Sequence, residues 1–275
     1  MSFPKLSKFR SRAIWKDGFT ISVGIIASIE TILAISDFGI NDLCPTMTWW
    51  GKAIVIGLVF GLTWVITVII KAWRANISIS LKIRNIAVDI KVGDIFSAPT
   101  WKLIPFNEFF DTQVDDVIIA YNSLNGILIT NHIPDINDLN ASISQGTANL
   151  KKHKKANRYA YQLGSIITYQ DYLLLAFARF DNNQAKLTQN EYEECLRTMW
   201  HEVSRTYALR PVTIPLLGGG ITRFENTIDK NEAHLLRCIL CTLKTSNAQI
   251  YQPITIYLTE KAINNIDLYT IKKIF

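Results

Sequence analysis

The sequence predicts an N-terminal two-helix transmembrane hairpin plus an α/β domain with a mixed sheet between helical layers. Three observations carry this prediction. Residues 18–36 and 53–70 are long apolar segments. The remainder of the chain alternates short apolar strands with amphipathic helices. The net charge of +6 arises entirely within the first 84 residues, because residues 85–275 carry nineteen basic and nineteen acidic side chains.

Each apolar segment is close to the roughly 20 residues that a helix needs to cross a bilayer. Basic residues precede the first segment and follow the second, whereas the connector has two acids and one lysine. Since basic residues collect on the cytoplasmic side, we expect a multi-pass protein with both termini in the cytoplasm. A signal peptide is the alternative, but a second span follows and no small-residue cleavage site does. The predicted units are a hairpin, 1–76, and a cytoplasmic domain, 77–275.

Small residues recur four positions apart on both predicted spans, as Gly24 with Ser28 and Gly57 with Gly61. Such spacing lets helix backbones approach closely, so we expect these residues to support assembly in the membrane. Glu30 is costly in hydrocarbon unless it is neutral, paired or facing water. We expect it to line a helix interface or an aqueous path, with a shallow position near the bilayer surface as the alternative.

The elements of the second domain follow from apolar periodicity. Strands are predicted at 77–83, 87–92, 101–106, 172–180, 210–217 and 253–258, and helices at 190–207, 232–244 and 260–274. Strands separated by helices predict a mixed sheet packed between helical layers. The length suits one domain.

Several function classes lack support. The charge balance after residue 84 argues against a general nucleic-acid binder. The basic cluster at residues 151–158 favours a solvated helix face over an anionic lipid or phosphate contact. Cys238 and Cys241 lie within a helical apolar pattern, which predicts core packing rather than a metal site. Motifs for a metalloprotease, a nucleophile elbow and a Walker loop are missing, so we predict no metal and no catalytic residue.

A glycine-rich loop follows the predicted strand 210–217. It contains Gly218, Gly219, Gly220, Ile221, Thr222 and Arg223. Without Cβ atoms, backbone N–H groups at the carboxyl end of a strand can approach a phosphate closely. A plain tight turn remains the alternative.

Two further strand ends complete a pattern: the second strand closes with Gly93, Asp94 and Ile95, and the third with Asn107. Together with the glycine loop, these motifs resemble the macro domain, an ADP-ribose-binding fold. Residues 102–112, 123–126, 175–181, 192–197 and 214–224 are similar to the macro domain of Thoeris antiphage effectors that carry two transmembrane helices.

This resemblance implies a ligand-binding set. Asp94 would accept from the adenine amino group with Ile95 beside it, and Asn107 would approach the distal ribose. The diphosphate loop would comprise Gly218, Gly219, Gly220, Ile221, Thr222 and Arg223. These roles suit a carboxylate acceptor and bare backbone amides. A turn-capping role is the alternative for Asp94.

The resemblance also implies a function. Hydrolytic macro domains follow their asparagine with a second asparagine and glycines, whereas Asn107 precedes Glu108-Phe109-Phe110-Asp111. This difference favours binding over catalysis.

The expected protein is an effector of the bacterial inner membrane without a cofactor. It would sense an ADP-ribose derivative, expected as histidine-ADP-ribose, made by a partner TIR-domain enzyme. Homo-oligomerisation would then disrupt the lipid bilayer. The alternatives are a membrane-tethered ADP-ribosyl hydrolase and a scaffold without a ligand.

Overall fold

A computed structural model describes residues 11–36, 39, 42, 45–74, 78–225 and 231–275. The chain divides into two compact units. One comprises the described residues up to Ser78 together with Asp267–Ile274, and the other comprises Ile79–Ile266 and Phe275. This division lies close to the predicted boundary at residue 76, but the sequence did not indicate that the C-terminal segment belongs with the N-terminal helices.

The helices are α1 Arg12–Ile35, α2 Trp49–Arg74, α3 Leu124–Ile127, α4 Ile136–Thr147, α5 Gln189–Thr206, α6 Glu232–Thr245, α7 Glu260–Asn265 and α8 Leu268–Ile274. The strands are β1 Ser78–Ile83, β2 Ile86–Val92, β3 Trp101–Asn107, β4 Lys152–Lys155, β5 Arg158–Tyr161, β6 Ile166–Tyr169, β7 Tyr172–Asp181, β8 Gln184–Leu187, β9 Val212–Pro215, β10 Arg223–Phe224 and β11 Ile254–Leu258. A 3₁₀ turn, Ile95–Ser97, follows β2.

In the first unit, α1 and α2 are long and apolar enough to cross a membrane, and both extend beyond their predicted bounds. They pack where Gly18 faces Val68, because a Cβ on Gly18 would lie only 2.7 Å from the Val68 side chain. The rings of Phe19 and Phe60 meet edge to face at 5.3 Å. A small residue and interlocking rings thus hold the two helices together.

Helix α8 joins the same unit through a polar cluster. The Tyr269 hydroxyl donates to the Asp17 carboxylate at 2.5 Å and accepts from Lys71 Nζ at 2.9 Å. Lys273 Nζ donates to the other carboxylate oxygen of this aspartate, Asp17 Oδ1, at 2.6 Å. The C-terminal helix therefore contacts the end of the helix pair at which α1 begins and α2 ends.

In the second unit, the described strands form a nine-stranded mixed sheet in the order β1-β2-β11-β9-β3-β7-β8-β10, with β6 on β7. Strands β2, β11, β9, β3 and β7 are parallel neighbours. Their carboxyl ends therefore lie at one edge of the sheet. β9 is buried throughout, as expected for a strand covered on both faces.

Helix α5 confirms its predicted apolar face. A capping box of Thr188 and Glu191 starts the helix. Leu196, Met199 and Val203 are fully buried. On α6, Cys238 packs in the core as predicted, but Cys241 is exposed, so the core prediction is wrong for that residue.

Two predictions about elements are wrong. The predicted helix 260–274 ends at Asn265, since Ile266 is extended, and a new helix begins after Asp267, whose carboxylate accepts from the Thr270 amide. The basic cluster is not a helix face, because β4 and β5 form an antiparallel hairpin whose turn includes Ala156 at φ 52°. Its lysine-rich sequence has no apolar period that would stabilise a helix.

Candidate nucleotide site

A cleft of about 650 Å³ opens at the carboxyl edge of the parallel strands. Three strand ends supply its floor: Gly93 to Ile95 after β2, Asn107 at the end of β3, and Gly218 to Thr222 after β9. Eight of the nine predicted ligand-binding residues therefore line one cavity. Its volume lies within the range of about 300 to 1,000 Å³ that small-molecule sites occupy.

Asp94 is exposed at the rim and also caps the 3₁₀ turn, since its Oδ1 accepts from the Phe96 amide at 3.1 Å. The turn-capping alternative is thus confirmed. Its Oδ2 has no hydrogen-bond partner among the residues described, so it can still accept from a ligand amine. Ile95 is buried beneath it and lines the cleft. Ligand contact by either residue stays a prediction.

The three glycines of the loop differ in their surroundings. Gly218 has φ +82°, a conformation that an L residue adopts only with strain. A Cβ on Gly219 would lie 3.1 Å from the Leu216 carbonyl oxygen, whereas a Cβ on Gly220 would meet no described atom within 4 Å. Ile221 is 64% exposed and Thr222 is buried. The loop therefore presents its backbone to the cleft with little side-chain cover.

A buried tyrosine supports this loop from below. The Tyr192 hydroxyl donates to the Leu217 carbonyl at 3.0 Å, directly before the glycine run. The Phe224 ring meets the Tyr192 ring edge to face at 5.3 Å, directly after it. Burial raises the pKa of the Tyr192 phenol well above its ordinary value, so the group stays a donor. This role was not predictable from the sequence, because Tyr192 is one more apolar position on α5.

Arg223 differs from the other predicted residues. It is exposed on β10, where it pairs in register with Lys186 of β8, and it is not part of the cleft lining. Its contact with a ligand stays a prediction.

Asn107 lines the cleft, but most of its side chain bonds within its own turn. Its Oδ1 accepts from the amides of Phe109 at 3.0 Å and Asp111 at 3.2 Å. Its Nδ2 donates to the Asp111 carboxylate at 2.9 Å. The side chain is therefore held in one orientation, with one N–H of Nδ2 left to donate.

Sequence reasoning missed much of one wall. It includes the loop 116–125 together with residues from several other elements, among them Phe177, Asn183, Glu232, Tyr257 and Lys261. The motif Ser123-Leu124-Asn125-Gly126 was recognisable, and its glycine is needed because a Cβ would lie 2.2 Å from the Ala120 carbonyl oxygen. Nothing in the sequence indicated that this loop folds over the strand ends.

Metal binding and catalysis by a buried thiol find little support in the described part of the chain. There, no group of three His, Cys, Asp or Glu side chains could hold a metal ion. Burial raises the pKa values of the Cys195 and Cys238 thiols, which keeps both protonated and unreactive.

A second cavity of about 660 Å³ lies beside the β4–β5 hairpin. Its central cations, Lys155 and Arg179, already pair with the carboxylates of Glu108, Asp181 and Glu191. It also lacks a glycine loop, so it suits an anionic nucleotide less well than the first cleft.

Comparisons with known proteins identify the family of this chain. Residues 88–259 match the family model for the macro domain of the Thoeris protein ThsA. The Thoeris protein ThsA of Bacillus amyloliquefaciens (strain Y2) is 34% identical over 280 residues, which cover 96% of this chain and 90% of that protein.

Solved structures of the Oceanobacillus iheyensis macrodomain are also similar. An aspartate-to-alanine mutant has a TM-score of 0.47 at 16% identity, covering 72% of this chain and 99% of its own. The macrodomain with ADP has a TM-score of 0.47 at 15% identity, covering 72% and 96%. By the family match and the identity to ThsA, this chain belongs to the family of the Thoeris protein ThsA and carries its macro domain.

Proposed function

We propose that this protein is an antiphage defence effector whose macro domain binds an ADP-ribose-type signal and whose N-terminal helices then disrupt the membrane. The observation that carries the proposal is the cleft, which brings Asp94 and the glycine loop from Gly218 to Thr222 into one cavity. An adenine amine needs an acceptor, and one Asp94 carboxylate oxygen is not bonded to any described residue. The glycines let the loop backbone come close to a diphosphate, at the edge of the sheet where open α/β sheets bind ligands.

Binding without turnover is favoured by the surroundings of Asn107. Its carboxamide is bonded to Asp111 and to two amides of its own turn, so it offers no acceptor to orient a water. The buried thiols do not supply a nucleophile either. We therefore place a pure binder ahead of a membrane-tethered ADP-ribosyl hydrolase.

The membrane half of the proposal rests on α1 and α2. Cβ atoms added to Gly24, Gly57 and Gly61 would meet no atom of the described residues within 4 Å, and Ser28 is exposed. These small residues are therefore not used where α1 packs on α2, and they remain open to helices of other copies. Glu30 has no ion-pair partner among the described residues, in keeping with an interface or water path in the assembled state.

The proposed topology places the protein in the bacterial inner membrane with both termini in the cytoplasm. In its support, α8 contacts Asp17 and Lys71, so the C-terminal helix lies at the end of the hairpin where the basic residues are. The proposed signal is histidine-ADP-ribose, made from NAD by a partner TIR-domain enzyme. It acts by stabilising an assembled state, for which it must bind that state more tightly than the resting one.

Calorimetric titration of the full-length protein in lipid nanodiscs tests the proposal. We expect binding of ADP-ribose and tighter binding of histidine-ADP-ribose, with the nucleotide recovered intact afterwards. Release of ADP-ribose from an ADP-ribosylated protein would establish the hydrolase instead. No heat with any of these nucleotides would favour a scaffold without a ligand.

A further inference from the structure

Strand order arranges three loops along the carboxyl edge of the sheet. Between β2 and β3 lie β11 and β9, so the glycine loop after β9 is flanked by Asp94 on one side and Asn107 on the other. A nucleotide with its base at Asp94 and its diphosphate at the glycine loop must extend towards β3. Whatever lies beyond the diphosphate therefore meets residues 107–111, which we call the β3 turn.

Two cations of the β4–β5 hairpin hold the β3 turn. Arg158 donates from both terminal nitrogens to the two carboxylate oxygens of Asp111, the residue to which Asn107 is bonded. The Arg158 guanidinium also stacks on Phe109 at 4.2 Å from the ring centroid. A planar guanidinium that pairs with a carboxylate and also stacks on a ring fixes the position of both groups, in addition to balancing charge.

Lys155 holds another residue of the β3 turn, Glu108. Its Nζ donates at 2.7 Å to Glu108 Oε1, which also accepts from the Phe180 amide at 3.0 Å. Glu108 is only 2% exposed, so this buried carboxylate depends on these two hydrogen bonds. Neither Lys155 nor Arg158 lines the nucleotide cleft. Both act on it only through the turn.

We propose that Lys155 and Arg158 are positioning residues that lock the β3 turn, and that they thereby select nucleotides by the group carried beyond the diphosphate. This proposal rests on the proposed function. With the turn locked, Asn107 presents one N–H of Nδ2 in a constant direction, where it can donate to a hydroxyl oxygen. The ligand class selected is a nucleoside diphosphate that carries a pentose, in preference to the bare nucleoside diphosphate.

The test compares ADP-ribose with ADP, which lacks the second pentose, by titrating full-length protein in nanodiscs. For Arg158→Ala we expect the affinity for ADP-ribose to fall about tenfold, as for a lost hydrogen bond, while the affinity for ADP stays unchanged. Lys154→Ala removes the same charge from an exposed neighbour in β4 and should leave both affinities as in the wild type. Arg158→Lys keeps the charge but loses the fork and should be intermediate.

The ratio of the two affinities decides the proposal. The proposal is overturned if Arg158→Ala leaves the ratio of the ADP-ribose and ADP affinities unchanged. That includes an equal loss of affinity for both nucleotides, which would indicate a merely structural role. If Arg158→Ala does not fold, Asp111→Asn removes the partner of the fork and must show the same selective loss. A wild-type protein that binds neither nucleotide contradicts the proposed function itself, and this proposal falls with it.

Discussion

At the scale of single residues, the glycines of the loop after β9 have two different roles, one in the conformation of the backbone and one in the access of a ligand to it. Gly218 is needed for the backbone, since its φ is +82°. Among the described residues, none would meet a Cβ on Gly220 within 4 Å, so this part of the fold does not need a glycine there. A glycine that is dispensable for folding but faces the cleft marks the place where backbone and phosphate would meet.

Replacing this residue is the cleanest test of the loop. Gly220→Leu should abolish nucleotide binding, because the side chain would occupy the approach of the phosphates. The free energy of unfolding should stay within about 0.5 kcal/mol of the wild type, as for an exposed substitution. Titration and chemical denaturation measure the two effects separately. Undiminished affinity would place the ligand elsewhere.

Asp94 also has two roles, and two variants separate them. Asp94→Asn keeps an oxygen that can cap the Phe96 amide but loses the charged acceptor. We expect it to weaken adenine nucleotides by about 1 to 3 kcal/mol with little change in stability. Asp94→Ala should lose the same affinity and, in addition, about 1 kcal/mol of stability with the cap. Wild-type affinity in Asp94→Asn would remove the carboxylate from the site.

At the scale of elements, the ion pairs around β7 give the domain a pH dependence. Lys155 lies 2.5 Å from the Asp181 carboxylate at the end of β7. Its hydrogen bond lowers the pKa of Asp181, and this outweighs the opposing effect of burial. Because the folded pKa is below the unfolded value of about 3.9, the contribution to stability is complete above that value and disappears as pH falls through the folded pKa.

Asp181→Asn therefore offers a direct measurement. Its free energy of unfolding should be lower than that of the wild type at pH 7, and the difference should shrink below about pH 4. Denaturation curves of both proteins between pH 3 and pH 7 provide the comparison. A difference of the same size at both ends of this range would show that the lost stability is not electrostatic.

The elements that the sequence predicted are those with a strong apolar period. Helix α5 and the buried strands β3, β7 and β9 belong to this group. The β4–β5 hairpin could not be predicted in this way, since all of β4 except Lys155 is exposed and its order comes from ion pairs with distant residues. For the same reason the pairing of Arg158 with Asp111 was not predictable, because 47 residues separate the two.

At the scale of the whole molecule, the proposed topology is supported by charge and by α8. The basic residues flank the outer ends of α1 and α2, and Tyr269 bonds to Asp17 near one of those ends. We expect impermeant thiol reagents to label Cys44 in the connector of intact cells. A cysteine introduced at position 275 should react only after the membrane is opened. Labelling of position 275 from outside would contradict the hairpin topology.

We propose that a nucleotide in the macro domain causes the N-terminal helices to disrupt a membrane. Dye release from liposomes that contain the full-length protein, measured before and after addition of histidine-ADP-ribose, tests it most directly. Release should begin only with the nucleotide and should be missing in Gly220→Leu. It should also be lost when Gly57→Leu and Gly61→Leu are combined, because the helices could no longer approach closely, while nucleotide affinity is kept. Full release from that double variant, or none from the wild type with bound nucleotide, would show that the helices are only an anchor.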